Sequence, residues 1–548
     1  MNYTRMPEDI LATTIASVHD WIKIDIASKI ENAALLGAAL SCLRTALSRS
    51  PPSAHVLKML ENNILTGLLP SEHEASTTDL LVQLLEPGKP AVITFESLQA
   101  LKAVSHNYPS IMTGYWEQIS AIAYRLLQCP VTNEVSRFNS DSWKEILVNF
   151  QVIDECLRAV SGFKGADDLV EFRLLDIQLM SNITREKRVS SAPSYGVNLP
   201  DSQKNELTDF SSGATRWSEI VDKHLPLAIN HSFPMVRAAA MTCFAGLTSS
   251  VFSVVEVEVQ DYILSSIATA ALKDNSPSVK SAACRAIGVV ATFSHNVYRE
   301  ETEIHPSDEE MLEVGVGGAV GYNVAKRMIV DFVTLHGDHR LLERMVQAFL
   351  SCVTTGNVKV QWNVCHALSN LFMNDTLRMR DMPWAPTVYS ILLLLLRDSS
   401  NCKIRMHAAV ALAVPSSRLD YGNSFCDVVQ ELEHLLETIG SHQSLILTTI
   451  HVLGFVTLKD GLALNDFFLK KAQFLEEWFK ALCSSLMETP DQPSACMATS
   501  TGNRADLMAT NVPKELVQKA LKSLYDVYES SNHRSVAERF EKLIRSFS

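Results

Sequence analysis

Four stretches of the chain repeat one order of apolar and polar positions without a gap. They are FPMVRAAAMTCFAGLT from Phe233, SPSVKSAACRAIGVVA from Ser276, NVKVQWNVCHALSNLF from Asn357 and NCKIRMHAAVALAVPS from Asn401. Each begins three residues before an anchor: Val236, Val279, Val360 or Ile404. Small or apolar residues follow the anchor by four, seven and eight positions: Ala240, Cys243 and Phe244; Ala283, Ala286 and Ile287; Val364, Ala367 and Leu368; Ala408, Ala411 and Leu412. That spacing lines one face of an α-helix. The anchors stand 43, 81 and 44 residues apart, the middle interval being close to two units. Such a period marks a helical repeat.

A second helical pattern precedes three of these stretches, at Val259 to Leu272, Leu341 to Val353 and Thr387 to Arg397, so each unit is predicted to be a helical hairpin. Pro234 and Pro277 stand two residues before their anchors, at a helix start where a missing N–H costs nothing. Small residues at the middle positions admit a neighbouring helix, and the larger residue one step on fills the groove. A lone hairpin leaves its apolar stripe exposed, so neighbours must stack. The expected fold class is all-α, an α-α superhelix of stacked hairpins with long concave and convex surfaces.

The order of residues in LKDNSPSVKSAACRAIGVV resembles that of HEAT repeats, and the other three stretches depart from it at one or two positions. KVQWNVCHALSNLF followed by CKIRMHAAVALAVPSSRLDYG is similar to the C-terminal repeats of the HEAT repeat-containing protein six family, in a plant version. With SVKSAACRAIG this resemblance covers roughly the second half of the chain. LQALKAVSHNYPSIMTGYWEQI, from Leu98, is similar to that family's preceding helical region, a domain of unknown function. The resemblance implies a HEAT/armadillo-type solenoid and brings no assigned chemistry.

The pattern also sets expected boundaries. Residues 1–184 are predicted as degenerate hairpins, with helices at Ile30 to Leu47, Phe95 to Val104, Tyr115 to Leu127 and Trp143 to Val160. Residues 185–215 are rich in Ser, Gly, Pro and Asn and are expected to be a flexible linker. Repeats follow at 216–298, an irregular or shortened repeat at 299–338, repeats again at 339–487, a flexible loop at 488–511 and capping helices at 512–548. Helical text from the first residues onward is what the interior of a longer array would show.

At 548 residues the chain exceeds one ordinary hydrophobic core, which an elongated array explains. Lys and Arg number 48 against 61 Asp and Glu, a net charge of −13, so nucleic acid is a poor expected partner and a basic protein segment a better one. The eleven cysteines include no C-x-x-C pair. Cys243, Cys284 and Cys365 fall on predicted apolar faces, as reduced core residues of a cytoplasmic or nuclear protein do. The first residues lack the basic segment and apolar block of a secretory signal, and the longest aliphatic run, Ile391 to Leu396, is too short to span a bilayer. The expectation is a soluble chain.

Candidate chemistry is sparse. Gly315, Gly317, Gly318 and Gly321 suggest a phosphate loop, but Val320 breaks the G-x-G-x-x-G spacing and no Lys-Ser or Lys-Thr pair follows. His336, His339 and Glu343 have the spacing of metal ligands on a helix, which Gly337 interrupts. Cys365 beside His366, and Cys402 near His407, suggest a thiol and its base, yet both cysteines occupy repeat positions. Arg237, Lys280 and Arg405 recur just after the anchor and are expected to pair with acids such as Asp274 and Asp398, an inter-repeat ladder. Trp362 and Asn363 resemble one copy of the Trp and Asn array with which armadillo-type import receptors hold peptides.

No catalytic residue, metal site or cofactor is assigned. The expected function is a non-catalytic protein-protein interaction scaffold. A transport-receptor-like adaptor holding basic cargo on an acidic concave stripe is the alternative.

Overall fold

The computed structural model describes residues 8–28, 32–49, 56, 57, 60, 75–128, 142–161, 210–291, 293, 339–373, 379–415, 417–438, 442–459, 466–487 and 514–547. The expected irregular repeat at 299–338 with its glycines and His336, the loop at 488–511, and residues 185–209 of the expected linker lie outside them. Among the described residues all regular structure is helical. It divides into two compact units, one of Met1–Leu169 with Ser190–Val290, the other of Val170–Val189 with Ala291–Ser548.

The first unit is a run of helical hairpins. Helix α1 (Glu8–Ser28) pairs with α2 (Ala33–Arg49), α3 (Thr77–Gln83) with α4 (Ala91–Asn107), and α5 (Trp116–Gln128) with α6 (Ser142–Val160). Next, α7 (Phe210–Glu219, continued through a π turn at Ile220–His224 into Leu225–Ile229) pairs with α8 (Pro234–Phe244), and α9 (Val257–Lys273) with α10 (Pro277–Val290). The second helices pack on one another in sequence order, α2 on α4, α4 on α6, α6 on α8 and α8 on α10, and each packs on its own first helix.

The other unit repeats the plan with α11 (His339–Val353) and α12 (Val358–Phe372), α13 (Ala385–Asp398) and α14 (Cys402–Ala413), and α15 (Phe425–Thr438) and α16 (Gln443–Leu458). Then come α17 (Asp466–Met487), α18 (Lys514–Ser530) and α19 (Arg534–Phe547). Here α12 packs on α14, α14 on α16 and α16 on α18, while α19 packs on both α17 and α18. Each unit is thus an all-α solenoid of stacked helical hairpins.

The repeated face lies in the core. Val236, Ala240, Phe244, Val279, Ala283, Ile287, Val360, Val364, Leu368, Ile404, Ala408 and Leu412 are all buried, as are Cys243, Ala286, Ala367 and Ala411 between them. Small residues set how closely the second helices approach. A Cβ on Gly37 would stand 3.0 Å from Val92 Cγ1, and one on Gly454 would stand 3.1 Å from the Cβ of Ser523. Helix starts are set locally: Pro234 and Pro277 open α8 and α10. Asn357 and Asn401 cap α12 and α14, each side chain accepting from the backbone N–H groups two and three residues on.

Helix ends pose the harder problem, because the last carbonyls of a first helix have no partner within it and lie at the hairpin's inner turn. The residue after each anchor supplies the donor. Lys280 Nζ donates to the carbonyls of Ala271 (3.0 Å) and Leu272 (3.2 Å) at the end of α9. Gln361 Nε2 donates to the Val353 carbonyl of α11 at 3.2 Å, and Arg405 Nε to the Leu396 carbonyl of α13 at 2.8 Å. Arg237 donates to the His231 and Ser232 carbonyls just after α7, and also holds Asp274 of the next hairpin in a fork at 2.7 and 3.0 Å.

This corrects the expected ladder. Asp274 pairs with Arg237, but Asp398 pairs with its neighbour Arg397 at 2.8 Å, in solvent, and not with Arg405. A carboxylate at the surface is already hydrated, whereas a half-buried carbonyl needs a protein donor, so the guanidinium of Arg405 goes to the carbonyl.

A second correction concerns the expected linker. Helix α7 begins at Phe210, inside 185–215, and Gly213 is a close-approach glycine: a Cβ there would lie 2.9 Å from the Val160 carbonyl oxygen at the end of α6. Trp217, buried one turn on, donates from Nε1 to Ser161 Oγ at 2.9 Å and stacks on Phe244.

The helix-end account makes a prediction. Lys280 is only 8% exposed, so Lys280→Met leaves two carbonyls without their donor and is expected to cost about 1–3 kcal/mol. Lys280→Gln, using the residue type that serves at 361, should lose less. Thermal unfolding compares the two variants, and a Met variant as stable as the parent chain contradicts the cap.

Candidate binding surface

Second helices are covered on one side by first helices and on their flanks by each other, which leaves one free face per unit. In the first unit that face carries charges that neutralise one another across helices. Arg44 of α2 pairs with Glu96 of α4 at 3.1 Å. Lys102 of α4 donates to Gln151 Oε1 of α6 at 2.9 Å, and His106 Nδ1 lies 3.4 Å from Glu155 Oε2. Arg158, fully buried, donates to Asp154 at 2.7 Å and to the Thr242 carbonyl of α8 at 3.1 Å. Burial pushes the Asp154 carboxyl up to about 6 against the pull of Arg158, and lowers Lys102 although Glu155 and Asp154 stand near it. Gly246 leaves the room that Arg158 occupies, since a Cβ there would meet Arg158 Cγ at 2.7 Å. The arrangement locks four helices together.

First helices of this unit are joined by a separate polar knot at the π turn. Glu219 accepts from Trp116 Nε1 at 2.9 Å and Ser120 Oγ at 2.7 Å, and the buried His224 places Nε2 2.8 Å from the Ser120 carbonyl. Burial opposes ionisation of Glu219, but the bonds from Ser120 and Trp116 outweigh it and hold the carboxyl below its usual range. These bonds tie α7 to α5, and the buried His224 Nδ1 is left without a hydrogen-bond partner.

The free face of the other unit differs in kind. Helices α12, α14 and α16 contain no Asp or Glu. Lys359 and Lys403 are exposed at equivalent positions, each two residues after its capping Asn. Trp362 Nε1 donates to His407 Nε2 at 2.9 Å; the His366 ring meets the Trp362 ring edge-on at 4.2 Å and lies 4.9 Å from that of His407. Along α16 follow His451, whose Nδ1 is 2.5 Å from Ser523 Oγ, and Phe455, 40% exposed with the Lys459 ammonium 4.6 Å from its ring centre. Lys459 Nζ also donates to the carbonyls of Ala413 and Pro415, and Tyr421 Oη to that of Leu412 at 2.7 Å, so the end of α14 is satisfied by side chains from beyond it. Burial, and the neighbouring His407, hold His366 well below its ordinary range; burial, then Lys519, bring His451 down to about 4. Both rings are neutral at pH 7.

Asn363, the second half of the expected Trp–Asn pair, is buried and donates to the Lys359 carbonyl at 3.1 Å, so it offers no amide to a ligand. The expected thiol chemistry meets a similar obstacle: burial pushes the Cys365 thiol up to about 12, where thiolate is scarce. Cys402 is half-buried at the first turn of α14. His339 opens α11, four residues before Glu343. Among the described residues no group of three His, Cys, Asp or Glu side chains is placed to hold a metal, and no helix is long and apolar enough to cross a membrane.

Acidic residues sit mainly on the first helices, as Asp427, Glu431, Glu433 and Glu437 on α15 show. The second helices α2, α8, α10, α12, α14 and α16 have none. A continuous acidic stripe along the second helices, which the basic-cargo adaptor requires, is absent from the described residues. Sequence reading missed this layering because it depends on knowing which helix of each hairpin faces its neighbours.

A family model described as Armadillo-like matches residues 234–412, from the start of α8 to the end of α14, about a third of the chain. An uncharacterised protein of Dictyostelium discoideum is 32% identical over 125 residues, 20% of this chain and 8% of that protein. The chain therefore matches only a small part of that relative's length. Among solved structures, Kap121p aligns with 96% of this chain and 46% of its own length at 14% identity and a TM-score of 0.41. Yeast importin-β (Kap95p) aligns with 93% and 59% at 10% identity and 0.36, and an engineered protein with 92% and 98% at 14% and 0.32. At these scores the likenesses transfer neither a cargo nor a site to this chain.

The histidines make stability depend on pH with a definite sign. His451 has a folded pKa below its unfolded value of about 6.5, so between about 4 and 6.5 the unfolded chain binds more protons. Stability is full above that window and is lost as pH falls through it. From pH 7 to 4.5 this residue is expected to remove about 2–3 kcal/mol. His451→Gln keeps a partner for Ser523 and should shrink the drop in melting temperature of the second unit; identical drops in variant and parent chain would contradict the assignment.

Proposed function

We propose that the chain is a non-catalytic protein-binding scaffold. The observation that carries this reading is the free face of α12, α14 and α16, where Lys359, Trp362, Lys403, His407 and Phe455 bring charged, aromatic and apolar side chains together across three successive repeats. Surfaces of that mixed character suit protein recognition. The resemblance to the HEAT repeat-containing protein six family, and buried thiols outside any disulfide such as Cys243, support an intracellular scaffold, cytoplasmic or nuclear. The basic-cargo adaptor is not favoured, since most of the hairpins' carboxylates lie on the first helices and α12, α14 and α16 have none.

Affinity capture from native cell extract, with the whole chain as bait at low and high salt and mass spectrometry as readout, tests the proposal. Protein partners retained in stoichiometric amounts are expected. They should be lost when Trp362 and Phe455 are both replaced by Ser, and kept when Glu431 and Glu437 on α15 are replaced by Gln. Failure of the folded chain to retain any protein at either salt would remove the scaffold reading.

A further inference from the structure

We propose that the free face of α12, α14 and α16 docks an extended acidic segment of a partner protein whose carboxylates recur about every third residue. The proposal rests on the scaffold reading and specifies the partner's chemistry.

Charge carries the first step. In a chain of net charge −13, three successive second helices lack any carboxylate. Most cations after the anchors are consumed by helix ends, as Lys280 and Arg405 are. Lys359 and Lys403 are not: they stand two residues before that position class, exposed, and among the described residues neither meets a carboxylate.

Geometry sets the spacing. Packed helices lie about 8–10 Å apart, so lysines at equivalent positions on α12 and α14 are separated by about that distance. An extended chain advances about 3.3 Å per residue, so carboxylates three residues apart match the two ammonium groups. Between them Trp362 is fixed by His407 and His366, and offers an apolar contact to the side chain that lies over it. A peptide fits this face better than nucleic acid does. Nucleic acid brings a charge with every nucleotide against the acidic remainder of the chain, and the exposed cations here are lysines at wide steps.

Fluorescence anisotropy with the full chain tests the proposal, using a labelled synthetic peptide with Asp at every third position and Leu among the intervening residues. The same peptide with Lys for Asp, and a single-stranded RNA of equal charge, serve as comparisons. The acidic peptide is expected to bind, to weaken with salt, and to lose about tenfold or more affinity in the double variant Lys359→Glu with Lys403→Glu. Both sites are exposed, so the fold is spared, and circular dichroism verifies it. Reversal of Glu431 and Glu437 to Lys should leave affinity unchanged. No binding by the parent chain, undiminished binding by the double variant, or RNA binding as tight as the acidic peptide would each overturn the proposal. If partners captured from extract persist on the double variant, this docking surface fails while the scaffold stands; if the parent chain captures none, the scaffold itself fails.

Discussion

The C-terminal end of the first helix, as seen in α9, α11 and α13, is the constraint on which the stacking of the repeats depends. Stacking hairpins places those carbonyls against the next helix, away from water, and an unsatisfied carbonyl there costs as much as a good packing contact contributes. The chain answers with a long polar side chain one residue past the anchor of the second helix. Lys280, Gln361 and Arg405 reach back eight or nine residues to Ala271, Leu272, Val353 and Leu396. A cation in this place also meets the negative end of the helix dipole. The same donor ties the start of the second helix to the end of the first.

Electrostatic layering follows. Positive side chains are wanted on second helices to meet carbonyl ends, so carboxylates beside them would compete for the same donors. Most second helices accordingly have none, while first helices such as α15 carry the acids in solvent. On α4 and α6, which do hold acids, some of these are bound to bases: Glu96 to Arg44, Asp154 to Arg158. The free faces of the two units differ for this reason, one a self-neutralised lattice, the other a surface of lysine, histidine and aromatic groups.

Much of this was legible in the sequence, and what was not has physical causes. The spacing of four, seven and eight from Val279 or Ile404 picks out a helix face because only that face can be apolar in a stack, and its side chains are buried. The donor role of Gln361 was invisible to a search for charge, since an amide serves a carbonyl as an ammonium does. Asp398 looked like a ladder partner by position, yet at a solvated helix end its neighbour Arg397 reaches it first. Gly213 sat among serines and glycines that read as linker, and only the nearness of the Val160 carbonyl shows why a side chain is excluded there. The free face of α12 to α16 escaped notice because net charge averages over both layers.

Hydrogen exchange of the whole chain, resolved by mass spectrometry to single helices, tests the central claim most directly. If second helices joined edge to edge are the spine of each unit, amides of α12, α14, α16 and α18 should exchange together and more slowly than those of α11, α13 and α15. First helices protected as strongly as second ones, or α12 opening independently of α14, would contradict it.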